Sequence, residues 1–181
     1  MPKMNEFLKD CLSLPYKSNS QQNPEHENQV EELLIKHGLE YVAQPNGSQN
    51  FPDFHVVDDV SGKIYSIECK SSKDPKPIYN GGRPHENAIY VFSSAKYNET
   101  TIFNGSHILS EEMRNSYDEY LKEQEELLNK YKDLELWKEN SRGFGFYNRA
   151  MYIQSGGKVK TDYFIHQDRY MCEQNVINKE Y

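Results

Sequence analysis

Cysteine, long apolar runs and positive charge are all scarce in this chain. Cys11, Cys69 and Cys172 are the three cysteines among 181 residues, odd in number and far apart. They form neither a zinc pattern nor a disulfide framework, which favours a reducing, cytoplasmic setting. No apolar run approaches the roughly 20 residues of a membrane-spanning helix, so no membrane role is expected. With 27% of its residues charged, the composition is that of a soluble protein. The stretch "MPKMNEFLKDCLSLPYKS" has an early lysine but no apolar core and no small-residue cleavage site, unlike a secretory signal. The formal net charge of −7 argues against a broad basic surface that coats nucleic acid. It leaves room for a local basic cleft, or for carboxylates that recruit a divalent cation. The six histidines show no metal-ligand spacing, which argues against zinc. Repeats and low-complexity tracts are absent, and the length suits one domain over residues 1–181.

What is present reads as alternating helices and strands. A short amphipathic helix is expected over 4–12, followed by a polar linker, "SLPYKSNSQQN", over 13–23. The segment "NPEHENQVEELLIKHG" predicts a helix with Asn23 as N-cap, Pro24 as its first residue and Gly38 as its terminator. Val30, Leu33, Leu34 and His37 would share one face. A short strand is expected over 41–43. Two more follow around the turn "DDVSG", whose Asp58 and Asp59 read as solvated turn residues. Further strands are expected in "AIYVFSS" and "ETTIF", the latter closed by Asn104-Gly105. A long helix over 110–140, capped by Ser110, carries Met113, Tyr117, Tyr120, Gln124, Leu127, Tyr131 and Leu134 at 4,3,4,3,4,3 spacing. Such a narrow seam suits packing against one other helix, either within the monomer or between two copies. A hairpin is expected over about 144–165, and the last fifteen residues are polar and uninformative.

The chemistry is concentrated in "FPDFHVVDDVSGKIYSIECKSS". In the second strand Tyr65, Ile67 and Cys69 alternate with Ser66, Glu68 and Lys70, so Glu68 and Lys70 emerge on one face, roughly 7 Å apart. Cys69, turned inward, reads as an inert core thiol. Pro52-Asp53, fourteen residues and then Glu68-Cys69-Lys70 spell P-D-x(n)-[DE]-x-K. Two carboxylates brought together where adjacent strands meet can hold a hard cation such as Mg²⁺, which takes oxygen ligands and keeps several waters. An ammonium beside them can orient an attacking water and offset charge on a phosphate oxygen.

On these residues the sequence resembles the PD-(D/E)xK nuclease superfamily. A further element joins the match: E-x-x-V-x-x-L-L-x-x-x-G, which stands here as Glu27, Val30, Leu33, Leu34 and Gly38. The likeness covers a core of about 24–103 and is greatest to compact type II restriction endonucleases. It implies an α/β fold, with a central mixed β-sheet flanked by helices and the C-terminal hairpin extending a DNA cleft. It also implies Asp53, Glu68 and the Cys69 carbonyl as ligands of Mg²⁺, with Mn²⁺ as a substitute. Lys70 would be the residue that poises the water. Glu27 would reach the metal site, with Glu31 as the alternative. The expected activity is site-specific cleavage of double-stranded DNA by a homodimer, leaving 5′-phosphates.

Base and phosphate contacts would then come from polar side chains near the catalytic edge. The loop after Lys70 offers Lys73, Lys76, Asn80, Arg83, His85 and Asn87. The C-terminal hairpin offers Arg149, Lys158 and Lys160. Two other readings stay open. One is a structure-specific or repair nuclease of the same fold. The other is a non-catalytic DNA-binding or subunit-interaction module that uses the 110–140 helix as its partner surface.

Overall fold

The computed structural model describes residues 2–20, 23–48, 50–77, 83–140 and 162–179. In chain order the elements are α1 (Lys3–Cys11), β1 (Asn19–Ser20), β2 (Asn23–Pro24), α2 (Glu25–His37), β3 (Tyr41–Ala43), β4 (Phe54–Val57), β5 (Ile64–Ser72), β6 (Ala88–Ser94), β7 (Glu99–Asn104), α3 (Glu111–Lys132), α4 (Glu135–Asn140) and α5 (Arg169–Asn178). They form two compact units. One comprises Met1–Ile78, Pro84–Ile108 and Lys160–Tyr181, and the other Tyr79–Arg83 and Leu109–Val159. Among the described residues, no helix is long and apolar enough to cross a membrane.

The first unit is built on a five-stranded sheet in the order β3-β4-β5-β6-β7. Its β5–β6 pair is parallel and the other pairs are antiparallel, so the sheet is mixed, as expected. Periodicity explains how helices cover one face. Met4, Phe7, Leu8 and Cys11 recur at helical spacing along α1 and are fully buried. They meet Val30 and Leu34 of α2, Val176 and Ile177 of α5, and the sheet residues Phe54, Val56, Ile67, Cys69, Ile89, Val91 and Ile102. Complete burial of a side chain such as Phe7 or Leu8 contributes about 1.5–3 kcal/mol. The other face carries aromatic rings: Tyr90 stacks on Phe103 at 5.3 Å, and Phe92 meets Phe164 at 5.8 Å. Strand β6 is buried along its whole length, as befits a strand covered on both faces.

Several local expectations need correction. Asn23 does not cap α2. Asn19 and Ser20 pair with Pro24 and Asn23 in a two-stranded ladder, which keeps that backbone extended, and the helix begins at Glu25. Its end is as expected, with Gly38 at φ 60° and its N–H on the Ile35 carbonyl. Nor are Asp58 and Asp59 merely solvated turn residues. Asp58 is buried and accepts from Lys179 Nζ at 2.6 Å and from Ser61. Asp59 accepts from the Lys3 and Met4 main-chain N–H groups at 3.0 and 3.2 Å, satisfying donors at the start of α1. The tail is informative too: α5 buries Cys172, Glu173, Val176 and Ile177. Of the expected hairpin, residues 144–161 lie outside the described residues, and 162–165 form a turn rather than a strand.

In the second unit, the Ser110 hydroxyl caps α3 by accepting from Met113 N–H at 3.2 Å. The single helix expected over 110–140 is interrupted, because Leu134 N–H bonds the Tyr131 carbonyl in a tighter turn. Helix α3 buries none of its residues. Leu127 and Leu134 are 58% and 42% exposed, whereas Tyr117, Tyr120 and Gln124 of the same seam are half-buried.

Candidate active site

Strands β4 and β5 pair from Val57↔Ile64 to Phe54↔Ile67, where the ladder stops. Beyond it, the Cys69 N–H is taken by a side chain, donating to Asp53 Oδ2 at 2.6 Å. The N–H and C=O of one residue leave a strand on the same side, so the Cys69 carbonyl emerges beside the Asp53 carboxylate. The period of two then brings Glu68 and Lys70 out together on one face, where Lys70 Nζ lies 2.5 Å from Glu68 Oε1. Lys70 is 38% exposed in its side chain and Glu68 only 11%, so the ammonium faces solvent and the carboxylate lies inside. Glu68 Oε2 is buried and, among the described residues, has no hydrogen-bond partner. Such an oxygen costs about 1–3 kcal/mol if nothing satisfies it.

Helix α2 adds a third carboxylate. Glu27 Oε1 accepts from Asn19 Nδ2 at 2.8 Å, and its negative charge is felt at both Asp53 and Cys69. Glu31, one turn later, is turned elsewhere and accepts from Tyr41 Oη at 2.9 Å. Of the two, Glu27 is the one that the fold brings to Asp53. Asn19 Nδ2 also reaches the Cys69 carbonyl at 3.5 Å, and the Asn19 N–H donates to Ser71 Oγ at 2.8 Å.

The electrostatics follow from this crowding. Burial, and then the charge of Glu68, push the Asp53 carboxyl up to about 7. The Cys69 N–H bond and Lys70 pull it back only in part. The Cys69 thiol is held well above its ordinary value, by burial first and then by Asp53 and Glu27. It is therefore protonated at neutral pH and is no nucleophile. Among the described residues, no three His, Cys, Asp or Glu side chains form a ready-made metal cage. Mg²⁺ does not require one, because one or two carboxylates and several waters suffice. Asp53, the unpartnered Glu68 Oε2 and the Cys69 carbonyl are hard oxygen donors on one short stretch of sheet, and that donor set fits the ion.

The expected DNA-contact residues fare unevenly. Lys73 and Asn87 are exposed, and Lys76 is half-buried. Arg83 pairs with Asp118 at 2.8 Å, a surface contact worth no more than about 1 kcal/mol. His85 is anchored: its N–H donates to Tyr90 Oη at 2.8 Å, and its ring stacks on Phe51 at 3.7 Å between centroids. That stack lies against the turn from which Asp53 enters β4. Asn80, Arg149, Lys158 and Lys160 lie outside the described residues.

Sequence reasoning did not single out Asn19 or Phe51. Asn19 sits in what reads as a polar linker, and its partners lie 8, 50 and 52 positions away. No local pattern could have marked it. Phe51 adjoins Pro52-Asp53, but its ring partner is in another loop. Comparison with protein-family models, with curated proteins and with solved structures gave no match.

Proposed function

We propose that this chain is a Mg²⁺-dependent endonuclease of the PD-(D/E)xK type, cleaving double-stranded DNA at specific sites as type II restriction enzymes do. The observation that carries the reading is the meeting of Asp53, Glu68, the Cys69 carbonyl and Lys70 where the β4–β5 ladder ends. A half-buried Asp53 raised to about 7 beside the buried Glu68 is the crowding of acids that a metal site, rather than core packing, calls for.

Asp53, Glu68 Oε2 and the Cys69 carbonyl would hold the metal, and Mn²⁺ could take its place. When bound, Mg²⁺ supplies Lewis-acid polarisation of the phosphate and a water of lowered pKa. Asp53 must lose its proton to serve as a ligand, which a pKa of about 7 permits near neutrality. Lys70, at the solvent side, orients the attacking water with its N–H donors and offsets charge on a phosphate oxygen. Glu68 Oε1 keeps that ammonium within reach. Glu27 adds negative charge beside the ligands. Lys73, exposed, and Lys76, half-buried, would meet backbone phosphates, and the stacked His85 and Phe51 rings would border the approach to Asp53. By the family resemblance, in-line displacement leaves a 5′-phosphate, two copies act together on the duplex, and the work is done in the cytoplasm.

Incubation of a defined plasmid with the protein and Mg²⁺ tests this. Discrete fragments that T4 DNA ligase can rejoin are expected, and EDTA should abolish them. Intact plasmid under Mg²⁺ and Mn²⁺ would exclude site-specific cleavage of that DNA. Nicking confined to branched or damaged substrates would transfer the site to a repair role.

A further inference from the structure

We infer that Asn19 is a positioning residue for this centre, a strap that holds the Glu27 carboxylate and the Cys69 carbonyl in place relative to Asp53 and Glu68. The role rests on the metal centre proposed above. Three bonds support it. The side-chain amide donates to Glu27 Oε1 at 2.8 Å, and the same nitrogen lies 3.5 Å from the Cys69 carbonyl oxygen. The main-chain N–H is fixed by Ser71 Oγ at 2.8 Å, on the same strand as Cys69. Asn19 itself is held in a ladder opposite Pro24, immediately before the helix that carries Glu27. A single side chain thereby joins a carboxylate on α2 to a carbonyl on β5.

Chemistry favours asparagine here. Its neutral NH₂ carries two donors, enough for a carboxylate and a carbonyl at once, and adds no charge. A lysine in its place would act as a resident cation and compete with the metal. An aspartate would repel Glu27. Among the described residues, the buried Asn19 Oδ1 atom has no hydrogen-bond partner. The amide is therefore held by its nitrogen contacts and not by its oxygen. Partners that orient metal ligands typically govern metal affinity by 10–100-fold when removed.

The test is metal affinity measured separately from turnover. Mn²⁺ binding to DNA-free wild type, Asn19→Ala, Glu27→Gln and the double variant is followed by isothermal titration calorimetry, with the fold checked by near-ultraviolet circular dichroism. Asn19→Ala should weaken Mn²⁺ binding about tenfold or more. The double variant should bind no more weakly than Glu27→Gln by more than about threefold, because Asn19 acts largely through Glu27. Where the enzyme cleaves DNA, the apparent Mg²⁺ constant should rise while the rate at saturating Mg²⁺ stays near wild type. Should Asn19→Ala be unstable, Asn19→Leu keeps the volume, lacks the donors and should weaken Mn²⁺ binding likewise.

Wild-type affinity in a folded Asn19 variant, or full additivity with Glu27→Gln, overturns the role. So does a wild type that binds no Mn²⁺. A wild type that binds Mn²⁺ but cuts no DNA, with Asn19→Ala weakened, retains the strap and removes the nuclease reading.

Discussion

At the scale of single residues, Asp53 carries a cost that folding alone does not repay. Its carboxyl is raised to about 7, by burial first and then by Glu68, whereas an unfolded aspartate titrates near 3.9. Below pH 4 both states are protonated. Between about 4 and 7 the folded state holds a proton that the unfolded state has released. Folding is therefore penalised increasingly as pH rises through that window, and fully penalised above it. Asp53→Asn keeps an oxygen for the Cys69 N–H and removes the charge. The metal-free variant should be more stable than wild type at pH 8, by about 1–2 kcal/mol, and the advantage should vanish near pH 4. Urea titrations at the two pH values check this, and an equal difference at both would refute the crowding of Asp53. The same substitution should abolish Mn²⁺ binding, a stability gain coupled to a functional loss. In wild type, Mn²⁺ competes with the Asp53 proton, so its affinity should rise with pH through about 7.

At the scale of elements, the site depends on how the loop before β6 is closed. Gly105 ends β7 with its N–H on the Ala88 carbonyl at 3.0 Å. A Cβ at this position would lie 2.0 Å from the His85 carbonyl oxygen, a main-chain atom that cannot swing aside. Gly105→Ala should thus cost about 3 kcal/mol, the upper range for overpacking, and displace His85 from its stack on Phe51. Thermal unfolding measures the first effect, and histidine NMR shifts the second. An unchanged melting temperature would mean that the two loops do not approach so closely. Helix α5 matters in a different way, because Lys179 at its C-terminal end reaches Asp58 in the β4–β5 turn. Burial tends to raise the Asp58 pKa, but the bonds from Lys179 and Ser61 outweigh it and hold the carboxyl below its ordinary value. The stability it contributes is complete above about pH 4 and is lost as pH falls through the lower folded value. Asp58→Asn should be less stable than wild type at pH 7, by a margin that shrinks as the pH falls into the acid range. A difference independent of pH would show that the ion pair contributes nothing.

At the scale of the whole molecule, legibility in the sequence follows contact distance along the chain. Strands β4 and β5 and helix α2 could be read, because their apolar periods and the Gly38 stop are local signals. The Glu68–Lys70 pair could be read for the same reason, as its members are two residues apart on one strand face. The Asp59 cap on α1 joins positions 56 apart, and the Lys179–Asp58 pair joins positions 121 apart. No window of sequence holds both partners, so these acids read as solvent-facing and the tail as featureless. The choice of Glu27 over Glu31 was hidden likewise, because the Asn19 and Tyr41 contacts that separate them form only in three dimensions.

The central claim is that Asp53, Glu68 and Lys70 form a metal-dependent phosphodiesterase centre, and Lys70 tests it most directly. Its side chain is partly exposed, so truncation opens no core cavity, although it costs stability by leaving Glu68 Oε1 without its partner. The measurement is single-turnover cleavage of duplex DNA at saturating Mg²⁺ by wild type and Lys70→Ala. Metal-dependent cleavage by wild type is expected, with a loss of about 10²–10⁴-fold in the variant, whose fold is checked by near-ultraviolet circular dichroism. Equal rates in the two proteins, or no cleavage by either on varied DNA with Mg²⁺ or Mn²⁺, would contradict the assignment.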